Sequence, residues 1–156
     1  MVRNEALLVV FGSLGDGDLR LSGDAIYRTL AANNLWFVAR IPRDLTPGTP
    51  TLFYESKIGF RGTAILDSIG RTTADDQSLV GRIPIKLYPY KLVLERWHDF
   101  AIPVDPRPHL AQLSFVSNKK HWGHSFRSSP RIVPMADFRI IADSTLAKAG
   151  PRSRRR

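Results

Sequence analysis

The sequence predicts an α+β fold, a small barrel-like sheet of about six strands flanked by two or three short helices. Three observations point there. Short runs rich in Leu, Val, Ile and Phe recur along the chain, each of strand length. Gly- and Pro-containing breaks separate them. Two polar junctions, at Ser22 and Pro134, carry helix-start chemistry.

Residues 6–11 form a buried strand, broken by the glycines of 12–18. Ser22 caps a helix over 24–33, with Asp24 in its positive first turn and Ala25, Tyr27, Leu30 and Ala31 on one face. Residues 35–40 are a second strand, which Ile41-Pro42 stops, and Pro47-Gly48 supplies the dihedrals of a type II turn. Residues 51–54 and the alternating 60–69 are further strands, with a polar loop over 70–81. Residues 83–94 are the longest strand candidate, confined by Pro84 and Pro89 to an edge or a bulged path. Trp97-His98-Asp99 opens a connection, and 110–116 reads as strand or short helix, undecided by periodicity. Pro134 opens a last helix with Phe138, Ile140 and Ile141 facing inward. Gly150-Pro151 ends it, giving one domain over 1–147 and a disordered basic tail over 148–156.

Composition removes several classes of function. The 43% apolar and 24% charged fractions exclude wholesale disorder. With no cysteine there is no disulfide framework, thiolate zinc site or cysteine nucleophile. The apolar runs are too short to span a bilayer and the start is a poor signal peptide, so a soluble, cytoplasmic protein is expected. The net charge of +9 is unevenly spread. The tail holds Lys148, Arg152, Arg154, Arg155 and Arg156, while residues 81–131 carry nine basic side chains against Glu95, Asp99 and Asp105. Such a balance suits a polyanion through counterion release, and equally suits a solvated face.

Metal and phosphate motifs are weak. The Gly12–Asp18 stretch lacks dinucleotide-loop spacing and the closing carboxylate of a calcium loop. His121 and His124 lack a third ligand, so neither metal nor cofactor is expected. One catalytic alternative remains: Asp44, Glu55 and Lys57 have the Asp…Glu-x-Lys spacing of a magnesium-dependent nuclease, although Asp44 falls in a proline-bounded turn. A protein-interaction module is the third reading.

Two segments carry the functional expectation. The first runs Leu35-Trp36-Phe37-Val38-Ala39-Arg40, Pro47-Gly48-Thr49, Leu52-Phe53-Tyr54-Glu55-Ser56 and Gly59-Phe60-Arg61-Gly62-Thr63-Ala64. The second runs from Leu113 through Ser117-Asn118-Lys119-Lys120-His121-Trp122-Gly123-His124 to Arg127, then Asp137-Phe138. On these motifs the chain resembles the EVE domain of the PUA-like superfamily, related to ASCH and YTH domains. It departs at Gly48-Thr49 and Lys57-Ile58. The resemblance implies a compact β-barrel with a non-catalytic pocket that reads DNA or RNA, and modified bases in particular.

The chemistry of base binding selects the same residue types. Stacking a base on an aromatic ring is worth about 1–3 kcal/mol. A base is read out of the duplex or from a single strand, which favours a deep pocket. Trp36, Tyr54 and Trp122 are the expected rings, with Ser56, Asn118 and Ser117 for base edges and Lys57, Lys119, Lys120 and Arg127 for phosphates. Phe53, opposite Tyr54 in strand parity, is assigned to the core, and Phe126 anchors its loop.

Overall fold

The computed structural model describes residues 4–153, with side chains to residue 146. Six strands, β1 (Glu5–Phe11), β2 (Leu35–Val38), β3 (Pro50–Glu55), β4 (Gly59–Arg71), β5 (Tyr90–Val104) and β6 (Arg131–Pro134), form one sheet in the order β2-β5-β4-β3-β1-β6. Three helices, α1 (Gly23–Ala32), α2 (Ala74–Val80) and α3 (Met135–Ser153), accompany it. The mixed α+β class is as expected, but the sheet does not close into a barrel. Strands β2 and β6 are its two edges, each with one neighbour.

Both faces of this sheet are covered, so alternate residues of one strand enter different cores. Leu7, Val9, Phe53, Ala64 and Leu66 join α1 and the 80–85 segment on one side. Ala6, Leu8, Leu52, Tyr54 and Phe60 join α3 and the 105–130 connection on the other. The β4–β5 pair is the spine, and register shifts along it bend and coil the two long strands. Arg96, at φ 54°, sits at one such irregularity.

Several elements differ from expectation for identifiable reasons. The 70–81 stretch contains α2, whose capping box pairs Thr73 with Asp76 in both directions. The acid at the fourth position, Asp in place of the usual Glu, was the signal. Pro84 and Pro89 lie outside the sheet in a connecting turn, and β5 starts at Tyr90 and runs through Trp97-His98-Asp99. Pro134 ends β6 instead of opening a helix, and α3 follows directly. Helix α3 runs through Gly150-Pro151 to Ser153, past its expected end, and the arginines from 154 lie outside the described residues. On α1 the buried face is Ile26, Tyr27 and Leu30, with Ala25 exposed. Among the described residues no helix is long and apolar enough to cross a membrane.

Asp76 also ties α2 to the sheet, since Lys91 Nζ lies 3.1 Å from its carboxylate. Burial works to raise the carboxyl, but bonds from Thr73 and Lys91 outweigh it and hold the group below its ordinary value of 3.8. A lowered folded-state value means that this contribution is complete above pH 3.8 and is lost as pH falls below it. Asp76→Asn is therefore expected to cost about 1–3 kcal/mol in urea unfolding at neutral pH. The gap between variant and parent should narrow in acid.

Candidate nucleic-acid interface

The open seam of the sheet is where the two sequence segments meet. Beyond β1, Ser56 N–H donates to Phe11 O at 2.8 Å, which continues the parallel β1–β3 pairing and sets Ser56 beside Gly12. On the other flank β6 stops pairing at Leu8↔Arg131, and the Ser129 hydroxyl takes over by accepting from Val10 N–H at 2.8 Å. Arg40, just past β2, donates to the Ser128 hydroxyl at 3.0 Å. Two edge regions that share no strand pairing are thereby linked by side chains.

Between them lies a cavity of about 480 Å³, within the range of small-molecule sites. Phe11, Trp36, Phe37, Tyr88 and Phe126 supply rings to its lining, and Ile83 and Ile85 close the remaining side. Phe11 and Trp36 meet edge to face at 5.0 Å between centroids. Ser56 and Arg127 stand exposed at this cavity, and neither Ser56 Oγ nor the Arg127 guanidinium has a bonding partner among the described residues. An aromatic wall with the Ser56 hydroxyl and the Arg127 cation at its rim is suited to a flat, polar-edged ring carrying an anionic group.

Of the expected site residues, this cavity gathers Trp36, Ser56 and Arg127. Trp36 is only 4% exposed, so it forms wall more than platform. Lys57 follows Ser56 in the β3–β4 turn, exposed, with φ at 70°. Tyr54 is placed elsewhere. Strand parity sends it away from Phe53, but the opposite face is a second core instead of a pocket, and its ring packs on Phe126 at 4.3 Å. Burial raises its phenol above the ordinary value.

Trp122 rests half-buried against Phe126 at 5.8 Å, also on the second core. A single cavity rimmed by Trp36, Tyr54 and Trp122 is therefore not what the fold builds. Asn118 Oδ1 accepts from the backbone of Lys120 and His121, and Lys119 Nζ donates to Leu113 O at 2.7 Å. These bonds shape the loop itself. Lys120 is exposed on it, and the His121 and His124 rings stack at 5.8 Å.

The residues that sequence reasoning passed over are Phe11, Phe37, Tyr88 and Arg40. Arg40 ended a strand already singled out, whereas Tyr88 was hidden by the strand assigned to 83–94.

Of the three residues in the nuclease spacing, Glu55 alone enters an ion-pair network among the described residues. Arg61 reaches Glu55 at 2.5 Å and Asp24 at 2.7 Å, and Arg28 reaches Asp24 at 2.8 Å. Glu55 is buried against the start of α1, where a Cβ at Gly23 would collide with its carboxylate. Hydrogen bonds from Arg61 and then Arg28 lower the Asp24 carboxyl. Tyr27 donates to Asp99 at 2.8 Å beneath the Arg61 guanidinium. Asp44 is exposed in its turn at φ 64°. Among the described residues no group of three or more His, Asp or Glu side chains is placed to hold a metal ion.

No family model matches the chain, and no curated protein matches it. Among solved structures, ZmASCH of Zymomonas mobilis, crystallised as a point mutant, is similar over 69% of this chain and 81% of its own, at 11% identity and a TM-score of 0.45, a likeness that by itself carries no functional argument.

Proposed function

We propose that this protein is a non-enzymatic nucleic-acid-binding module, of the EVE type within the PUA-like superfamily, that takes a base of DNA or RNA, a modified one by preference, into the cavity at the sheet seam. The observation that carries the reading is that cavity, because it draws lining from both segments on which the resemblance rests. Rings supply stacking and shape, the Ser56 hydroxyl faces a base edge, and Arg127, Arg40 and Lys57 offer cations for the flanking phosphates. Lys120 and the arginine-rich terminus add sequence-independent attraction that falls with salt.

A thermal-shift screen of free nucleosides, standard and modified, tests the pocket. A nucleoside present at 100 times its Kd is expected to add about 2.7 kcal/mol to stability. Ser56→Trp, a bulky substitution at the exposed rim, should abolish the shift. Arg127→Ala should instead weaken oligonucleotides of every sequence and flatten their salt dependence. Magnesium-dependent nicking of plasmid DNA by the wild-type protein would overturn the non-enzymatic reading.

A further inference from the structure

The cavity at the seam has a neighbour. A second hollow of about 510 Å³ lies beside it, and Ile85 and Tyr88 line both. The residues between those two, Lys86 and Leu87, are the crest of a turn closed by Tyr88 N–H donating to Ile85 O at 2.9 Å. This ridge is firmly footed. Ile83 and Ile85 are buried beneath it, and Thr72 bonds the backbone of both Tyr88 and Pro89. Leu87 stands 80% exposed on the crest. Lys86 beside it and Arg71 across the second hollow are exposed cations, neither paired with a carboxylate among the described residues. Arg71 lies over the Tyr90 ring at 5.2 Å to its centroid, which fixes its direction.

An exposed leucine alone needs no explanation. One that crowns a rigid divider between two hollows, with a cation on the divider and another on the far side, matches a chain that alternates flat apolar rings with anions. We infer that the bound strand crosses the Ile85–Tyr88 ridge, one nucleotide seated at the seam and its neighbour in the second hollow, with the intervening phosphodiester near Lys86 and Arg71. This rests on the base-binding reading and deepens it, because it names the substrate as an unpaired stretch of at least two consecutive nucleotides. A base-paired strand keeps its bases stacked inward and cannot lay two of them on either side of a ridge.

The test compares wild type with an Arg71→Ala/Lys86→Ala double variant, both sites being exposed, with melting curves to confirm the fold. The probes are the four free ribonucleosides, short mixed-sequence single strands of RNA and of DNA, and the same strands annealed to complements. The double variant should bind single strands about tenfold more weakly, and its log–log salt slope should fall by about 0.7 for the one phosphodiester the two cations hold. Its nucleoside affinity should match wild type, and duplexes should bind more weakly than single strands. An unchanged salt slope, an equal loss on free nucleosides, or duplex binding as tight as single-strand binding each overturns the ridge crossing while leaving the seam pocket standing. If wild type binds neither nucleosides nor strands, the ridge and the base-binding reading fall together.

Discussion

Phe126→Ala is expected to lower unfolding free energy by about 3–5 kcal/mol, the cost of deleting a fully packed phenyl ring. Phe126 is 5% exposed and lies within ring-contact range of Tyr54, Phe60, Phe115 and Trp122. It also forms part of the cavity wall at the seam. Its removal should therefore erase nucleoside-dependent thermal shifts as well as stability, whereas Phe126→Leu should keep the fold with a smaller loss. Trp122→Ala is the informative contrast, because Trp122 touches Phe126 but does not line the cavity. Urea unfolding should show a lesser penalty for that variant, with nucleoside binding retained. Loss of nucleoside binding in a folded Trp122→Ala protein would place the base on the other side of Phe126 and refute the cavity assignment.

Arg61→Leu should be about as costly, about 3–5 kcal/mol, because it strands a buried carboxylate. The Arg61 side chain is 13% exposed and its partner Glu55 10%, so solvent does little to screen the pair. Burial works against the Arg61 charge, yet bonds from Asp24 and Glu55 prevail and raise its pKa. Replacing both partners, Arg61→Leu with Glu55→Leu, should recover much of the loss, since no unpaired charge is then left inside. Urea unfolding of the two singles and the double gives the coupling directly. The same cycle governs how cleavage assays are read. Glu55→Ala removes the partner of the Arg61 guanidinium as well as a carboxylate, so Lys57→Ala, exposed in its turn, is the better control.

Much of the architecture was legible because its causes are local. The strand over 6–11, the Ser22 cap and the Pro47-Gly48 turn each depend on neighbours a few residues away, whereas the alternation over 60–69 breaks at the register shift between Phe60 and Gly62, which sends Phe60 to the core opposite Ala64 and Leu66. Gly48 adopts φ 92°, as a type II turn requires, and Ser22 Oγ accepts from Ala25 N–H at 3.0 Å. Misreadings cluster where a local signal had two outcomes. Pro84 and Pro89 interrupt an apolar run, which is equally consistent with a bulged strand and with a ridge between strands. Residues 110–116 are neither strand nor helix, because Asp137 from α3 holds them by bonds to Ser114 and to Phe115 N–H at 2.8 Å. No periodicity encodes a partner that lies 22 residues on.

The candidate site divides the same way. From the sequence alone came the aromatic and basic segments, the separation of Phe53 from Tyr54 onto opposite faces, and the absence of any cysteine chemistry. Only the tertiary structure decided that both faces of the sheet are interior, which withdraws Tyr54 from ligand contact, and that the sheet stays open with Trp36 and Arg127 brought to one seam. The reason is strand order. A strand's faces follow from its own alternation, but what covers each face follows from the parallel β1–β3 pairing and the bends of β4 and β5, which join residues far apart in the chain.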